Sequence, residues 1–201
     1  IEEISERYNS RIHTFAADVG DESEVARLLD RIRAELPPLA GVAHLAGVLD
    51  DALLSQQSVE RFRTTLAPKA FGACHLDRLT REDDLDFFIV SSSVSSVFGS
   101  PGQSNYATAN ALLDGLVAQR RAEGLPATGI NFGPWAEGGM ASSEAARSNL
   151  NAQGLAALAP SVALNALAEV VANGTGQATV IKANWQRAAK MLGASRPPIL
   201  D

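Results

Sequence analysis

The chain has 201 residues, of which 46% are hydrophobic and 20% charged, and this composition is typical of one globular domain with its own core. A net charge of −6 argues against a nucleic-acid partner, and no apolar run reaches the roughly 20 residues of a membrane helix. One cysteine, Cys74, excludes an internal disulfide, and three scattered histidines lack metal-ligand spacing. The charged first residues argue against a signal peptide. We therefore expect a cytoplasmic protein that acts on small molecules and has no metal site.

Short β-rich runs alternate with longer amphipathic stretches along the chain. The predicted elements are, in order, a strand at 11–19, a helix at 22–36, a strand at 41–47, a helix at 58–79 that bends near Pro68, a strand at 85–93, a helix at 103–124, a strand at 126–134, a helix at 161–174, a strand at 178–184 and a short final helix. This alternation predicts an α/β fold, a Rossmann-like doubly wound parallel sheet. The carboxyl ends of parallel strands share one edge of the sheet, and ligands bind at that edge.

Residues 137–160 are the least regular stretch of the single domain that we assign to 1–201. They contain Gly138, Gly139 and small polar side chains, and they follow the carboxyl end of a predicted strand. We expect a lid there, and the alternative is a helical surface insertion without function. No G-x-G-x-x-G turn precedes the first predicted strand. Either the chain begins within a domain, without its first strand and glycine-rich turn, or it has lost its phosphate site.

Four side chains form a candidate catalytic set. Tyr106 and Asn110 are four residues apart on a predicted helix, Ser93 ends a predicted strand, and Lys69 lies on the preceding helix. Each also has a simpler explanation. Tyr106 and Asn110 could be ordinary surface residues, Ser93 could belong to a polar strand end, and Lys69 could be an ordinary solvated lysine. Together they suit carbonyl reduction, because a serine can hold a ketone oxygen and a tyrosine can protonate it. A nearby ammonium favours the phenolate and would lower the tyrosine pKa, while the hydride must come from a cofactor.

Several motifs resemble the catalytic part of a ketoreductase domain from a type I polyketide synthase, in the short-chain dehydrogenase/reductase superfamily. The resembling segments are HLAGVLDDALL (44–54), APKAFGACHL (67–76), FFIVSSSVSSVFGSPGQSNYATANALLDGLV (87–117) and NFGPWAEGGMA (131–141). Most short-chain reductases carry a lysine four residues after the tyrosine. Here Asn110 stands there and Lys69 lies on the earlier helix, an exchange that resembles synthase ketoreductases.

The resemblance implies a role for each matching residue. Tyr106 would donate the proton, Ser93 would hold the carbonyl, and Lys69 and Asn110 would support them. NADPH is the implied cofactor, and its implied contacts are Asp18, Val19, Ala46, Gly47, Gly133 and Pro134. For Asp18 the alternative is a helix N-terminal acid, and for Gly133-Pro134 it is an ordinary turn after a strand.

A further resemblance concerns stereochemistry. Leu49, Asp50 and Asp51 match the Leu-Asp-Asp triplet of B-type ketoreductases, which give a D-configured hydroxyl. The A-type tryptophan is absent, because Phe98 stands eight residues before the tyrosine, and Thr108 replaces a proline seen in some B-type members. The alternative is that the two aspartates begin a loop and cap a helix.

The resemblance implies a β-ketoacyl chain on an acyl carrier protein as substrate, with neighbouring synthase domains as further partners. Two other functions stay open, namely a non-catalytic structural subdomain and a stand-alone reductase of small ketones. An early strand missing from a parallel sheet would leave an open edge. We therefore expect a fragment of this extent to self-associate and to bind NADPH weakly.

Overall fold

The computed structural model describes residues 2–136 and 154–192. Four parallel strands form its central sheet, in the order β1-β2-β3-β5. They are β1 (Gly41–His44), β2 (Phe87–Ser93), β3 (Thr128–Phe132) and β5 (Gln177–Val180), while β4 (Leu155–Ala156) and β6 (Lys182–Ala183) pair antiparallel in a small second sheet. The predicted α/β class and parallel sheet are confirmed. Of the predicted lid at 137–160, residues 137–153 lie outside the described part of the chain.

Helices connect the strands and cover both faces of the sheet. They are α1 (Glu2–Tyr8), α2 (Glu22–Glu35), α3 (Val59–Leu66), a π-helical turn (Ala67–Phe71), α4 (Gly72–Leu79), α5 (Ser95–Phe98), α6 (Ser104–Ala122), α7 (Pro160–Ala172) and α8 (Trp185–Leu192), with a 3-10 turn at Leu54–Gln56. The helix predicted at 58–79 is thus continuous from α3 to α4, with a π-helical turn around Pro68. Among the helices that the structure describes, none is long and apolar enough to span a membrane.

The strand predicted at 11–19 is wrong, because these residues form no strand. A strand needs a hydrogen-bonded neighbour, and among the described residues β1, at one edge of the central sheet, pairs with β2 alone. The apolar residues of the segment pack differently. Phe15 lies under the guanidinium of Arg31 on α2, with 4.7 Å between the guanidinium carbon and the ring centroid.

Two apolar clusters lie on opposite faces of the sheet. The first contains Phe88 and Val90 of β2 against Leu113 and Val117 of α6, and all four side chains are fully buried. The second joins β3 to α7 and to the segment around Leu158. Every residue of β3 is buried, which is expected for a parallel strand covered on both faces. This double cover fixes the carboxyl ends of the strands, where the candidate site lies.

A buried ion pair connects α4 to α6 at the edge of the sheet opposite the carboxyl ends of the strands. Arg120, 1% exposed, donates to the carboxylate of Asp77 at 2.5 Å, and its guanidinium lies 4.2 Å from the ring centroid of Phe88. Arg81 donates to the other carboxylate oxygen at 3.1 Å. A buried guanidinium without its carboxylate would be an uncompensated charge.

We expect Asp77→Asn to lower the free energy of unfolding by about 3–5 kcal/mol, because it leaves the buried charge of Arg120 uncompensated. Urea unfolding of the purified protein measures the change. Asp84→Asn, at an exposed position in the same turn region, is the matched control and should change stability by less than about 0.5 kcal/mol. Equal stability of both variants would show that this ion pair does not hold the helices together.

Candidate active site

The π-helical turn presents Lys69 to the carboxyl edge of the sheet. Pro68 lacks an N–H and its ring crowds the carbonyl four residues earlier, so the helix widens there. Lys69 is 3% exposed, and its ammonium donates to the Ser91 carbonyl of β2 at 2.9 Å. The buried ring of His44, at the end of β1, donates from Nε2 to the Lys69 carbonyl at 2.9 Å. The turn is thus tied to two adjacent strands.

Tyr106 lies in the first turn of α6, directly beside Lys69. The Lys69 Nζ atom is 5.3 Å from the centroid of the tyrosine ring, and the tyrosine is 7% exposed. The connection from α5 to α6 needs glycine twice, because Gly99 and Gly102 have φ angles of 73° and 79°. These turns bring the start of α6 back over the end of β2.

Ser93 and Asn110 complete the set around the tyrosine. Ser93 is the last residue of β2, where its Oγ accepts from the Ser95 N–H at 3.2 Å. Asn110 is fully buried one turn after the tyrosine and donates to the Tyr106 carbonyl at 2.8 Å. Its Oδ1 atom is buried without a hydrogen-bond partner among the described residues. A buried acceptor of this kind has the capacity to receive a proton donor from the site.

Burial dominates the acid–base properties of both titratable groups. It raises the pKa of Tyr106, while hydrogen bonds from Asn110 and Ser93 lower that pKa and the charge of Asp51 raises it. Burial also lowers the pKa of Lys69 to about 8, against the opposing attraction of Asp114. The net direction for the tyrosine is therefore opposite to the lowered pKa that the sequence analysis expected, because desolvation outweighs the neighbouring groups.

The predicted cofactor residues follow the strand ends on the same edge. Ala46 and Gly47 come after β1, and a Cβ atom on Gly47 would lie 3.5 Å from the Lys69 ammonium. Glycine thus keeps space open beside the lysine. Gly133 and Pro134 come after β3, and the Gly133 N–H donates to the Val180 carbonyl of β5 at 2.8 Å.

Asp18 and Val19 lie in the loop before α2, close to α4. The Val19 carbonyl accepts from His75 Nδ1 at 3.1 Å, and the Asp18 carboxylate accepts from the Gly20 N–H at 2.8 Å. Asp21, not Asp18, caps α2 by accepting from two backbone N–H groups of its first turn. The role of helix N-terminal acid that was the alternative for Asp18 thus falls to Asp21, with Glu22 and Glu24 in the first turn. Among the cofactor residues that the resemblance implies, Ala46-Gly47 and Gly133-Pro134 thus follow strands, whereas Asp18-Val19 lie in a loop.

The triplet Leu49, Asp50 and Asp51 lies in the loop after β1 and reaches the start of α6. The Asp50 carboxylate pairs with Arg61, and the Asp51 carboxylate accepts from Gln103 Nε2 at 3.0 Å. Neither aspartate caps a helix, since α3 is capped by Ser58 and the 3-10 turn has no side-chain cap. The helix-capping alternative for these aspartates is therefore wrong.

Sequence reasoning missed a polar cluster behind Ser93. The Asp114 carboxylate accepts from Ser96 at 2.6 Å, from Asn131 at 2.9 Å and from Gln177 at 2.9 Å. Asn131 also donates to the Ser93 carbonyl at 3.4 Å. A signal was present, because Asp114 stands four residues after Asn110 and eight after Tyr106, on one helix face. Asn105 was also missed.

In the part of the chain that the structure describes, no group of three or more His, Cys, Asp or Glu side chains could hold a metal ion.

Comparison with known proteins agrees with this geometry. The KR domain family model matches residues 1–137. Polyketide synthases GfsB and GfsA of Streptomyces halstedii are 45% and 46% identical over 94% and 95% of this chain, which spans 3% of each of them. A solved structure of A-type ketoreductases from a modular polyketide synthase matches 99% of the chain with a TM-score of 0.91 and 37% identity. The first ketoreductase of the tylosin polyketide synthase matches 98% with a TM-score of 0.86 and 39% identity.

The fold is therefore that of the Rossmann-like ketoreductases. The chain belongs to the KR domain family, the ketoreductases of polyketide synthases. It spans 42% of the length of each of these two ketoreductase structures.

The buried lysine predicts a specific dependence of stability on pH. The Lys69 pKa falls from 10.5 to about 8 on folding, so between these values the unfolded chain binds more protons than the folded one. Stability therefore gains from this group as the pH rises from 8 towards 10.5, and its charging cost is fully present below pH 8.

We expect Lys69→Met to remove this gain, so that the wild-type stability increases relative to the variant between pH 8 and 10. Urea unfolding at several pH values measures the difference, with Lys182→Met, an exposed lysine, as control. Parallel curves for the wild type and Lys69→Met would contradict the lowered pKa.

Proposed function

We propose that this chain is the catalytic part of a ketoreductase that reduces a β-ketoacyl thioester to a β-hydroxyacyl thioester. The substrate is carried by an acyl carrier protein, in the cytoplasm, within a synthase whose other domains are its neighbours. One observation carries the proposal, namely the convergence of Lys69, Tyr106 and Ser93 at the carboxyl edge of the sheet. The kinship to polyketide synthases supports the substrate class.

Tyr106 donates the proton that turns the ketone oxygen into a hydroxyl. Its raised pKa keeps the phenol protonated at neutral pH, which a proton donor requires. The negative charge that develops on the ketone oxygen during reduction draws the phenol proton across. Asn110 favours the phenolate that remains, because its hydrogen bond lowers the pKa of the tyrosine.

Ser93 holds the ketone oxygen in place. Its Oγ accepts from the Ser95 N–H, and its one O–H, which hydrogen-bonds Tyr106 in this structure, would turn to donate to the ketone oxygen when substrate binds. The position is firm, since the Ser93 carbonyl accepts from Ser96 at 2.8 Å and from Asn131. The oxygen then lies between one hydroxyl that orients it and one that protonates it.

Lys69 and Asn110 restore the tyrosine proton. A lysine with a pKa of about 8 gives up and regains a proton readily near neutral pH. The unpartnered Asn110 Oδ1 can accept from a water molecule that links the tyrosine and the lysine to solvent. The net change is one proton from solvent for each carbonyl reduced.

The cofactor of this reaction is NADPH, which supplies the hydride when bound. Ala46 and Gly47 after β1, Gly133 and Pro134 after β3, and Asp18 and Val19 in the loop before α2 would hold it. Gly47 contributes by lacking a side chain next to Lys69, where a larger residue would fill the space.

We expect Tyr106→Phe to reduce turnover of a β-ketoacyl thioester at least ~10²-fold, because the ring remains while the acidic proton is lost. Loss of NADPH absorbance with a thioester substrate measures turnover in the intact domain. The chain has two tyrosines, and Tyr8→Phe, at a residue 63% exposed, is the matched control. Near-wild-type turnover by Tyr106→Phe would favour a non-catalytic subdomain.

The product has the D configuration at the β-hydroxyl. Support comes from the Leu49, Asp50 and Asp51 triplet, which borders the tyrosine through the contact of Asp51 with Gln103. Phe98 in place of the A-type tryptophan agrees with this assignment. The fold itself does not distinguish B-type from A-type ketoreductases, because the matched structures include A-type ones.

We expect chiral analysis of the reduced thioester to give the D-hydroxyl product, and Asp51→Ala to erode that preference more than it lowers turnover. A difference of ~1.4 kcal/mol between the two substrate poses already changes the product ratio tenfold. Asp86→Ala, at an exposed aspartate outside the triplet, serves as control. An L-hydroxyl product from the wild type would refute the B-type assignment and leave the reductase proposal intact.

A further inference from the structure

Asn105 is a fully buried side chain that joins three parts of the molecule. Its Oδ1 accepts from the Tyr106 backbone N–H at 2.9 Å. Its Nδ2 donates to the Asp50 carbonyl at 2.8 Å and to the Thr65 hydroxyl of α3 at 3.0 Å. A longer contact from the same nitrogen reaches the Arg61 carbonyl at 3.4 Å. One amide thus connects the residue before the candidate proton donor to the loop of the Asp50-Asp51 pair.

The same loop has further attachments to α6 and to α3. The Ala52 N–H donates to the Gly102 carbonyl at 2.9 Å, just before α6. Gln103 donates to Asp51 and Arg61 pairs with Asp50. The loop is therefore held on two sides, and Asn105 is the contact at the centre of this arrangement.

We propose that Asn105 is a positioning residue that sets the place of the Asp50-Asp51 loop relative to Tyr106 and thereby the side from which the acyl chain enters. The inference rests on the proposed function, since it concerns the substrate of the same site. The asparagine amide suits this task because it carries a hydrogen-bond donor and an acceptor on one short side chain. Asp51 also acts on the tyrosine electrostatically, so a displaced loop would change the surroundings of the phenol.

Two substitutions separate the parts of this contact. Asn105→Ala removes all the hydrogen bonds of the side-chain amide, whereas Asn105→Asp keeps the acceptor for the Tyr106 N–H and loses the donor to the Asp50 carbonyl and the Thr65 hydroxyl. Thr65→Val is the matched control, because it removes a buried partner of the same amide without touching the loop or the tyrosine. A residue that only stabilised the fold would affect stability in all three variants and product configuration in none.

The first readout is the configuration of the product made by the intact ketoreductase. We expect both Asn105 variants to lower the ratio of major to minor hydroxyl configuration about tenfold, the scale of one lost hydrogen bond. Turnover should fall less than this ratio, and Thr65→Val should keep the wild-type ratio. Folded Asn105 variants with an unchanged ratio would overturn the inference. Loss of folding in both would also overturn it, because Asn105 would then be a purely structural residue.

The second readout does not depend on activity. Hydrogen exchange of the Ala52 amide reports whether its hydrogen bond to the Gly102 carbonyl persists. We expect this amide to exchange faster than in the wild type in both Asn105 variants, and at the wild-type rate in Thr65→Val. Unchanged exchange in the Asn105 variants would refute the positioning role. A wild-type protein that reduces no β-ketoacyl thioester would refute the proposed function instead, while this exchange measurement would still decide the role of Asn105.

Discussion

The candidate site depends on keeping the Lys69 ammonium inside the protein. A buried charge is costly unless it is hydrogen-bonded, and the structure provides the Ser91 carbonyl and the face of the Tyr106 ring. The lysine lies in the π-helical turn that contains Pro68, and there its side chain reaches the end of β2. The Lys69 side chain also packs directly against Gly47, where a Cβ atom would lie 3.5 Å from the ammonium.

The cluster around Asp114 opposes the cost of that buried lysine. Its negative charge favours the charged form of Lys69, and its hydrogen bonds to Ser96 and Asn131 hold the end of β2 where Ser93 lies. One face of α6 thus carries Tyr106, Asn110 and Asp114 at four-residue intervals. The candidate proton donor thus lies at the start of this face, and the carboxylate that hydrogen-bonds Ser96 and Asn131 lies two turns further along the helix.

The sequence predicted those parts of the site that depend on regular spacing. Tyr106 and Asn110 could be placed on one helix face, and Ser93 at a strand end, because helices and parallel strands have fixed periods. The strand at 11–19 could not be decided locally, since a strand exists only through its neighbours. The direction of the Tyr106 pKa was wrong for a related reason. Spacing predicts which charges are near, but burial is a property of the whole fold.

Asn105 and Asp114 escaped prediction because their partners are distant in sequence. Asn105 contacts Asp50 and Thr65, and Asp114 contacts Asn131 and Gln177. The spacing from Asn110 indicates the helix face of Asp114, but local spacing does not indicate any of these partners. A polar residue beside a catalytic motif is ambiguous until the elements that surround it are known. Buried, fully paired amides then become informative, because their hydrogen bonds allow little adjustment.

The surroundings of the tyrosine suit a proton donor. Burial, together with the charge of Asp51, raises the pKa of Tyr106, so the phenol holds its proton in the resting site. The Lys69 ammonium lies 5.3 Å from the ring centroid, and with a pKa of about 8 this lysine can supply a proton once the phenolate has formed. Under the proposed reaction, the tyrosine therefore releases its proton only when a stronger base, the developing alkoxide, lies beside it. In that proposal, the loop that carries Asp51 affects the acidity of the tyrosine as well as the entry of the acyl chain.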